Sequence, residues 1–177
     1  HQLQRALALL ILAALPACGG AGQTVRQIDP SKIKLEKRHR QTVRGTKATL
    51  VVPDTFKRVA DRVWAVKQHG GVVFLLNVRR TRVPEQGAAR ALKRTINLVQ
   101  RGGRAGLIRN EAAELGDLDG HYIEAIDLLG NNRQVLYQVV VESEDGLYIA
   151  SIYAPIGLHK THGKALGETV RSLRVVR

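Results

Sequence analysis

The chain has 177 residues, 44% of them hydrophobic, and carries 28 Lys and Arg against 15 Asp and Glu, a formal net charge of +13. This length and apolar content fit one globular domain with a leader. The single cysteine excludes an intramolecular disulfide and a multi-cysteine metal cage. The positive charge predicts a surface that attracts polyanions, such as nucleic acid, anionic lipid headgroups or cell-envelope polymers.

An apolar leader stands near the start of the chain. Ten apolar residues, Ala6 to Leu15, follow Arg5. This is about half of the roughly 20 residues that a membrane-spanning helix needs, and it is typical of the hydrophobic region of a secretory signal. The run ends in Leu15-Pro16-Ala17-Cys18, followed by two glycines. The single cysteine therefore stands where the apolar run stops.

This ending resembles the lipobox of bacterial lipoprotein precursors, although Pro16 departs from the commoner Ala or Ser. The resemblance implies a signal peptide over residues 1–17, cleavage between Ala17 and Cys18, and acylation of Cys18 (palmitate among the chains). Gly19, which is not Asp, implies the outer membrane, facing the periplasm. The alternatives are an ordinary signal peptide cut after Ala17 and a short buried apolar segment. In the lipoprotein interpretation, the chain is held permanently in the cell envelope.

A basic stretch follows the cysteine. Seven Lys and Arg lie between Lys32 and Lys47, against Glu36 alone. We interpret residues 18–45 as a lipidated tether and residues 46–177 as the folded domain. Each charge near an anionic bilayer contributes on the order of 1 kcal/mol, so the stretch is predicted to lie on headgroups. The alternative is a solvated linker.

Alternation of apolar residues and turn signals predict the elements of the folded domain. The clearest stretch is a three-stranded antiparallel meander with Gly- and Asn-rich turns. Within its middle strand Val135, Tyr137, Val139 and Val141 are predicted to face a covering helix or second layer, with an amphipathic face opposite. Ile149 of the third strand is predicted to lie beneath the same helix. In chain order the prediction is strands Ala48–Val52, Arg62–Gln68 and Val72–Val78, helix Gln86–Gln100, strands Glu111–Leu115, His121–Leu129, Gln134–Glu142 and Leu147–Ala154, and helix Gly163–Leu173.

The helix over 86–100 places cations on its polar face. Residues 79–104 hold eight Lys and Arg against one acid, whereas residues 111–146 hold nine acids against Arg133 alone. This asymmetry predicts either a dipolar surface that recruits a charged partner or internal pairing between the two halves. The predicted anionic-surface site comprises Arg90, Lys93 and Arg94 of the helix with Lys32, Lys34, Lys37 and Arg38 of the tether.

The element order, the turn Val52-Pro53-Asp54-Thr55-Phe56 and the ending Ser172-Leu173-Arg174-Val175 resemble the PsbP-like superfamily and its DcrB-like bacterial lipoproteins. The resemblance covers about residues 46–177. It implies an α+β fold, an α/β/α sandwich with a central, mainly antiparallel sheet and a C-terminal helix. It also implies a binding or assembly module rather than an enzyme, and no binding residues of the family carry over.

No motif in the sequence carries catalytic chemistry, a cofactor or a metal. His159 and His162 have a spacing that can serve a metal, but no further ligand completes a site. An enzyme alternative remains, with a pocket of residues scattered in sequence: Tyr122, Tyr137, Tyr148, His121 and Glu124. Nucleic-acid binding is a third alternative, against which export counts. The leading prediction is a lipid-anchored envelope module without catalysis, whose partner is another envelope protein or an anionic surface and whose oligomeric state stays open.

Overall fold

A computed structural model describes residues 28–81, 93, 106–129 and 132–176. Ala17, Cys18 and the leader lie outside this range. The predicted helix over 86–100 also lies outside it, except for Lys93, which is helical and exposed. No helix within the described ranges has both the length and the apolar character to cross a bilayer.

The described chain forms two antiparallel sheets and a C-terminal helix, α1 (His159–Arg171). Short 3-10 turns occur at Pro30–Lys32 and Ile156–Leu158. The strands are β1 (Arg38–Thr42), β2 (Ala48–Pro53), β3 (Lys57–Ala60), β4 (Val63–Gln68), β5 (Gly71–Thr81), β6 (Gly106–Glu114), β7 (Asp119–Leu129), β8 (Asn132–Ser143), β9 (Gly146–Pro155) and β10 (Arg174–Val175).

The larger sheet has seven strands in the order β3-β4-β5-β9-β8-β7-β6, and the smaller one has the order β1-β2-β10. The predicted meander is confirmed, because β7, β8 and β9 pair in sequence through continuous antiparallel registers. Strand β5 pairs with β9 rather than with its neighbour in sequence, β6. This non-local pairing joins the first hairpin to the meander in a single sheet.

One face of the large sheet is covered by α1, whose Leu166 and Val170 are fully buried. The prediction for this face of β8 is confirmed, since Val135, Tyr137, Val139 and Val141 are all 0% exposed. Ile149 was expected beneath the helix as well, and this is wrong. It pairs with Val140 on the opposite face and is half-buried, because the residue opposite Val139 is Ala150.

The opposite face of β8 is also buried, which corrects the expectation that it would be amphipathic. Leu136, Gln138 and Val140 are at most 4% exposed, and Gln138 Nε2 donates to Ser151 Oγ at 2.8 Å. The run Val139-Val140-Val141 indicates this in the sequence, because a continuous apolar run is typical of a strand buried on both faces. The central strand therefore lies inside the domain.

The predicted boundary at residue 46 is too late, and the tether assigned to 18–45 is wrong for its described part. Ile33 and Leu35 are 4% exposed and Val43 is 0% exposed, all within the hydrophobic core. Strand β1 pairs with β2 in register from Arg38 to Thr42. The physical reason is that the few apolar side chains of this segment turn into the core on either side of β1 while the charged ones stay in water, so a high charge density coexists with burial.

Helix α1 begins four residues before the predicted Gly163. A 3-10 turn after Pro155 leads into His159, and the helix then runs through Gly163 and Gly167. Glycine inside a helix costs about 1 kcal/mol relative to alanine, which favours a boundary at such a residue. Here both glycines are buried, and each lies against a tyrosine hydroxyl of the large sheet that leaves no room for a side chain.

Candidate functional site

A cluster of buried polar side chains lies between the large sheet and the start of α1. Tyr122 and Glu124 are two residues apart on β7 and so share a face, and the β7–β8 register places Tyr137 opposite Glu124. Tyr122 donates to Glu124 Oε2 at 3.1 Å. His159, the first residue of α1, completes the cluster: its Nδ1 is 2.7 Å from the Tyr137 hydroxyl and 3.5 Å from Glu124 Oε1.

Two glycines of α1 make room for the phenols. A Cβ on Gly167 would stand 2.5 Å from the Tyr122 hydroxyl, and a Cβ on Gly163 would stand 3.0 Å from that of Tyr137 and 2.9 Å from His159 Nδ1. Cβ atoms in proteins essentially never come closer than 3.0 Å to another atom. The spacing of four residues puts both glycines on one helix face, so the helix backbone lies directly over the hydroxyls.

Arginines flank the cluster at its rim. Arg109 Nε on β6 is 3.8 Å from Glu124 Oε2, and Arg171 places its guanidinium carbon 4.7 Å from the centre of the Tyr122 ring. Arg171 also lies 3.3 Å from Glu111 on β6. The two arginine side chains are 50% and 35% exposed, whereas the Glu124 side chain is 8% exposed. The Glu124 carboxylate is thus buried, while the arginines at the rim stay partly open to solvent.

Burial raises the pKa of Tyr122, and the neighbouring Glu124 carboxylate raises it further. The pKa of Tyr137 is raised by the same two causes. Both phenols therefore stay protonated throughout the physiological range and act as hydrogen-bond donors. The two phenols can therefore hold α1 against the sheet through hydrogen bonds, and neither is a phenolate that could act as a nucleophile. His159 is the cluster member most open to solvent, with 35% of its side chain exposed.

The structure brings together three of the five residues of the predicted enzyme pocket: Tyr122, Glu124 and Tyr137. His121 alternates to the opposite face of β7 and bonds to Asn110, while Tyr148 donates to Asp145 Oδ2 at 2.7 Å. A five-residue pocket is therefore wrong. The neighbours Tyr122 and Glu124 could be found from strand alternation alone. The contribution of His159 could not, because it depends on how α1 packs.

His159 and His162 contact different parts of the domain. His162 lies edge-on to Phe74, with ring centroids 5.9 Å apart, and its Nε2 is 3.3 Å from the Pro30 carbonyl oxygen. Across the described part of the chain, no three His, Cys, Asp or Glu side chains are arranged to hold a metal ion.

The described residues of the predicted anionic-surface site differ in how exposed they are. Lys34, Lys37 and Lys93 are exposed, and Lys32 is also exposed but lies 3.6 Å from Asp29. Arg38 is a correction, because it is half-buried and held in place: Nη1 is 2.9 Å from Glu168 Oε2 and Nε donates to the Leu35 carbonyl at 2.9 Å. It joins β1 to α1 rather than facing a membrane. Arg90 and Arg94 lie outside the described residues.

Some of the acidic residues between positions 111 and 146 form ion pairs with arginines of the domain itself. Glu111 and Glu124 contact Arg109, and Asp145 contacts Arg80. The exposed pairs among these contribute under about 1 kcal/mol each. Among these pairs only Arg80–Asp145 joins residues 79–104 to residues 111–146, so the internal-pairing interpretation is supported for Asp145.

No family model and no curated protein matches this chain, but solved structures do match. The solution structure of PsbP (CyanoP) from the cyanobacterium Synechocystis sp. PCC 6803 is 15% identical, with a TM-score of 0.56 over 92% of this chain and 99% of that one. LpqN of Mycobacterium tuberculosis, involved in cell envelope biogenesis, is 12% identical, with a TM-score of 0.55 over 80% and 91%.

A protein of unknown function from Pseudomonas aeruginosa is 11% identical, with a TM-score of 0.50 over 80% of this chain and 98% of that one. At such identities the likeness concerns the fold alone. The antiparallel sheets and the C-terminal helix of this chain form a PsbP-like fold.

Proposed function

We propose that this protein is a lipid-anchored module of the cell envelope that binds a partner or assists assembly without catalysing a reaction. The fold is similar to that of CyanoP and of LpqN, the latter involved in cell envelope biogenesis. The anchor rests on the sequence Leu15-Pro16-Ala17-Cys18, and the proposed location is the outer membrane, facing the periplasm.

The observation that carries the non-catalytic role is the enclosure of the buried polar cluster by groups of the protein itself. Glu124 Oε2 accepts a hydrogen bond from Tyr122 and lies 3.8 Å from Arg109 Nε, and Oε1 lies 3.5 Å from the His159 ring. Gly163 and Gly167 leave no space between the helix and the phenols. A catalytic carboxylate needs a face open to its substrate, whereas this one serves packing. The proposed binding function therefore belongs to the surface of the domain.

The anchor is tested by expressing the full chain in a bacterium fed an alkyne-bearing palmitate analogue. We expect label on the wild type, a mature N-terminus at Cys18, and neither in Cys18→Ser. Mass spectrometry of a mature chain with a free thiol at Cys18, or with another N-terminus, would contradict the lipoprotein assignment.

The non-catalytic role is tested with Glu124→Gln and His159→Gln in the anchored protein. In intact cells the wild type is cross-linked to its neighbours, and the yield of discrete cross-linked species is compared with the melting temperature of each variant. We expect cross-linking to follow stability, with no separate loss in a variant that melts like the wild type. A fully stable variant that keeps its cross-links but accumulates an unprocessed envelope metabolite would favour the enzyme alternative.

A further inference from the structure

A cleft of about 260 Å³ opens at the hairpin end of the large sheet. Its lining consists of Arg62 before β4, Arg80 and Thr81 at the end of β5, and Asp145 in the β8–β9 turn. The β5–β9 register places Thr81 opposite Leu147, which brings the end of β5 beside this turn. The cleft is remote from the buried cluster, since Tyr137 lies six residues along β8 from Ser143, or about 20 Å at the rise of a strand.

Arg62 is held at the cleft by backbone carbonyls. Its Nε donates to the Arg44 carbonyl and its Nη2 to the Gly45 carbonyl, each at 3.2 Å. Gly45 has a φ of +68°, and a Cβ there would stand 3.2 Å from the same Nη2. Among the described residues no carboxylate lies within 4 Å of this guanidinium, so its charge has no acidic partner there.

Arg80 is held in the same manner by the β8–β9 turn. Its Nε and Nη2 both donate to the Asp145 carbonyl, at 2.9 and 2.6 Å. Gly146, with a φ of +145°, makes room, because a Cβ there would stand 3.3 Å from Arg80 Nε and 2.6 Å from the Thr81 carbonyl. Two arginines thus reach one cleft, each placed over a glycine in the left-handed region.

The carboxylate in the cleft is already engaged. Asp145 accepts hydrogen bonds from Ser143 Oγ at 2.6 Å and from the Tyr148 hydroxyl at 2.7 Å, and Arg80 Nη2 is 3.5 Å from its Oδ2. Two guanidinium groups against this one carboxylate leave the cleft with net positive charge. The Nη1 groups of Arg62 and Arg80 donate to no other described residue, so each has two N–H donors without a partner in the described part of the chain.

We propose that this cleft binds a phosphate group, presented either by an anionic lipid headgroup or by a soluble phosphate. Planar guanidinium groups donate to phosphate oxygens through pairs of N–H groups, with a geometry that a single ammonium does not offer. Thr81, which also lines the cleft, carries a hydroxyl, a group that can donate to the same oxygens. The proposal is independent of lipidation at Cys18 and of the exposed lysines near the N-terminus.

The test uses the full chain, processed by the cell and purified in a neutral detergent. Inorganic phosphate is titrated while the arginine Nε–H resonances are followed by NMR. We expect saturable shifts at Arg62 and Arg80, and Arg62→Gln should weaken binding by about tenfold, since a charge-assisted hydrogen-bonded contact is lost. Arg62→Lys should also weaken binding, because a point charge lacks the fork. The matched control is Lys34→Gln with Lys37→Gln, which should leave the dissociation constant unchanged.

A second arm distinguishes the sources of the phosphate. Vesicles of phosphatidylcholine with phosphatidic acid are compared with phosphatidylcholine alone, with the same variants. Shifts with both phosphate and the acidic vesicles indicate a lipid headgroup, whereas shifts with phosphate alone indicate a soluble ligand; both support the site. Absence of saturable shifts, or equal affinity in wild type and in an Arg62→Gln variant that melts like the wild type, would overturn it.

Discussion

Gly167 lets the backbone of α1 lie against the Tyr122 phenol. Gly167→Ala places a Cβ 2.5 Å from that hydroxyl. The better helix propensity of alanine contributes up to about 1 kcal/mol, but overpacking costs about 1–3 kcal/mol, so we expect a net loss. Urea unfolding measures it. In a Tyr122→Phe background the loss should shrink, because the clashing oxygen is gone.

Gly157→Ala is the matched control for this prediction. Nothing lies within 4 Å of a Cβ at Gly157. This variant should unfold at the wild-type urea concentration or slightly above it. A Gly167→Ala variant that is as stable as the Gly157→Ala variant would mean that the helix stands further from Tyr122 than described.

Asp145 gives the domain an acid-sensitive contact. Burial acts to raise the pKa of this carboxyl, but hydrogen bonds from Ser143 and Tyr148, with the charge of Arg80, outweigh it and hold the pKa below its usual value. A carboxyl with a lowered folded-state pKa stabilises the protein above its unfolded pKa of about 3.9, and this stability is lost as the pH falls through the folded value. The wild type should therefore lose more stability than Asp145→Asn as the pH falls below about 4.

The measurement is the urea midpoint of both proteins from about pH 6 down to about pH 3. Tyr148→Phe, which removes one donor, should show an intermediate acid loss. Parallel curves for the wild type and Asp145→Asn would contradict the proposed role of this contact.

At the scale of elements, the small sheet makes residues 28–45 part of the domain. A chain that begins at residue 28 keeps β1 and the buried Ile33, Leu35 and Val43, whereas one that begins at 46 loses all of them. Removing a buried Leu or Ile side chain costs about 2–5 kcal/mol, so losing three such side chains exceeds the stability of many domains. We expect cooperative melting of the first chain only. A cooperative transition in the chain beginning at 46 would restore the tether interpretation.

Strand β8 is buried on both faces from Val135 to Val141. Val139→Asp would place a charge without a partner beneath α1, at a position that is 0% exposed. Circular dichroism should show loss of the folded state. The control is Val59→Asp on the edge strand β3, where the side chain is 51% exposed and the charge stays in water. A wild-type melting temperature for Val139→Asp would contradict the buried placement of β8.

At the scale of the whole molecule, the exposed cations predict binding to anionic membranes. Lys34 and Lys37 are exposed, and within the described ranges they have no carboxylate partner. Their attraction is screened over about 8 Å at physiological salt, so binding should fall as salt rises. Co-sedimentation with neutral and anionic vesicles measures this. Replacing both lysines by Gln should weaken binding to anionic vesicles.

Binding that depends neither on salt concentration nor on lipid charge would contradict this prediction, and Lys34 and Lys37 would then serve only to keep the surface solvated. Arg38 is not part of this test. Because it is held by Glu168 and the Leu35 carbonyl, its replacement is expected to lower stability as well as charge.

Local patterns in the sequence were sufficient for the meander and for the α+β class. Alternating apolar residues and turn glycines act over a few residues, so β7, β8, β9 and the strands near β2, β4 and β5 could be predicted without tertiary information. Short strands such as β3 and β10 have too few residues to show a period. The basic stretch concealed β1, because charge dominates composition while burial depends on every second side chain.

What the sequence by itself determined is the strand order of the meander, the terminal helix, the charge asymmetry and the apolar run that precedes Cys18. The tertiary structure decided which side chains meet. Glu124 gains His159 because α1 packs over the large sheet, and Asp145 reaches Arg80 because β5 pairs with β9 rather than β6. These contacts join residues 35 and 65 positions apart. They depend on how the elements pack, and no local periodicity encodes that.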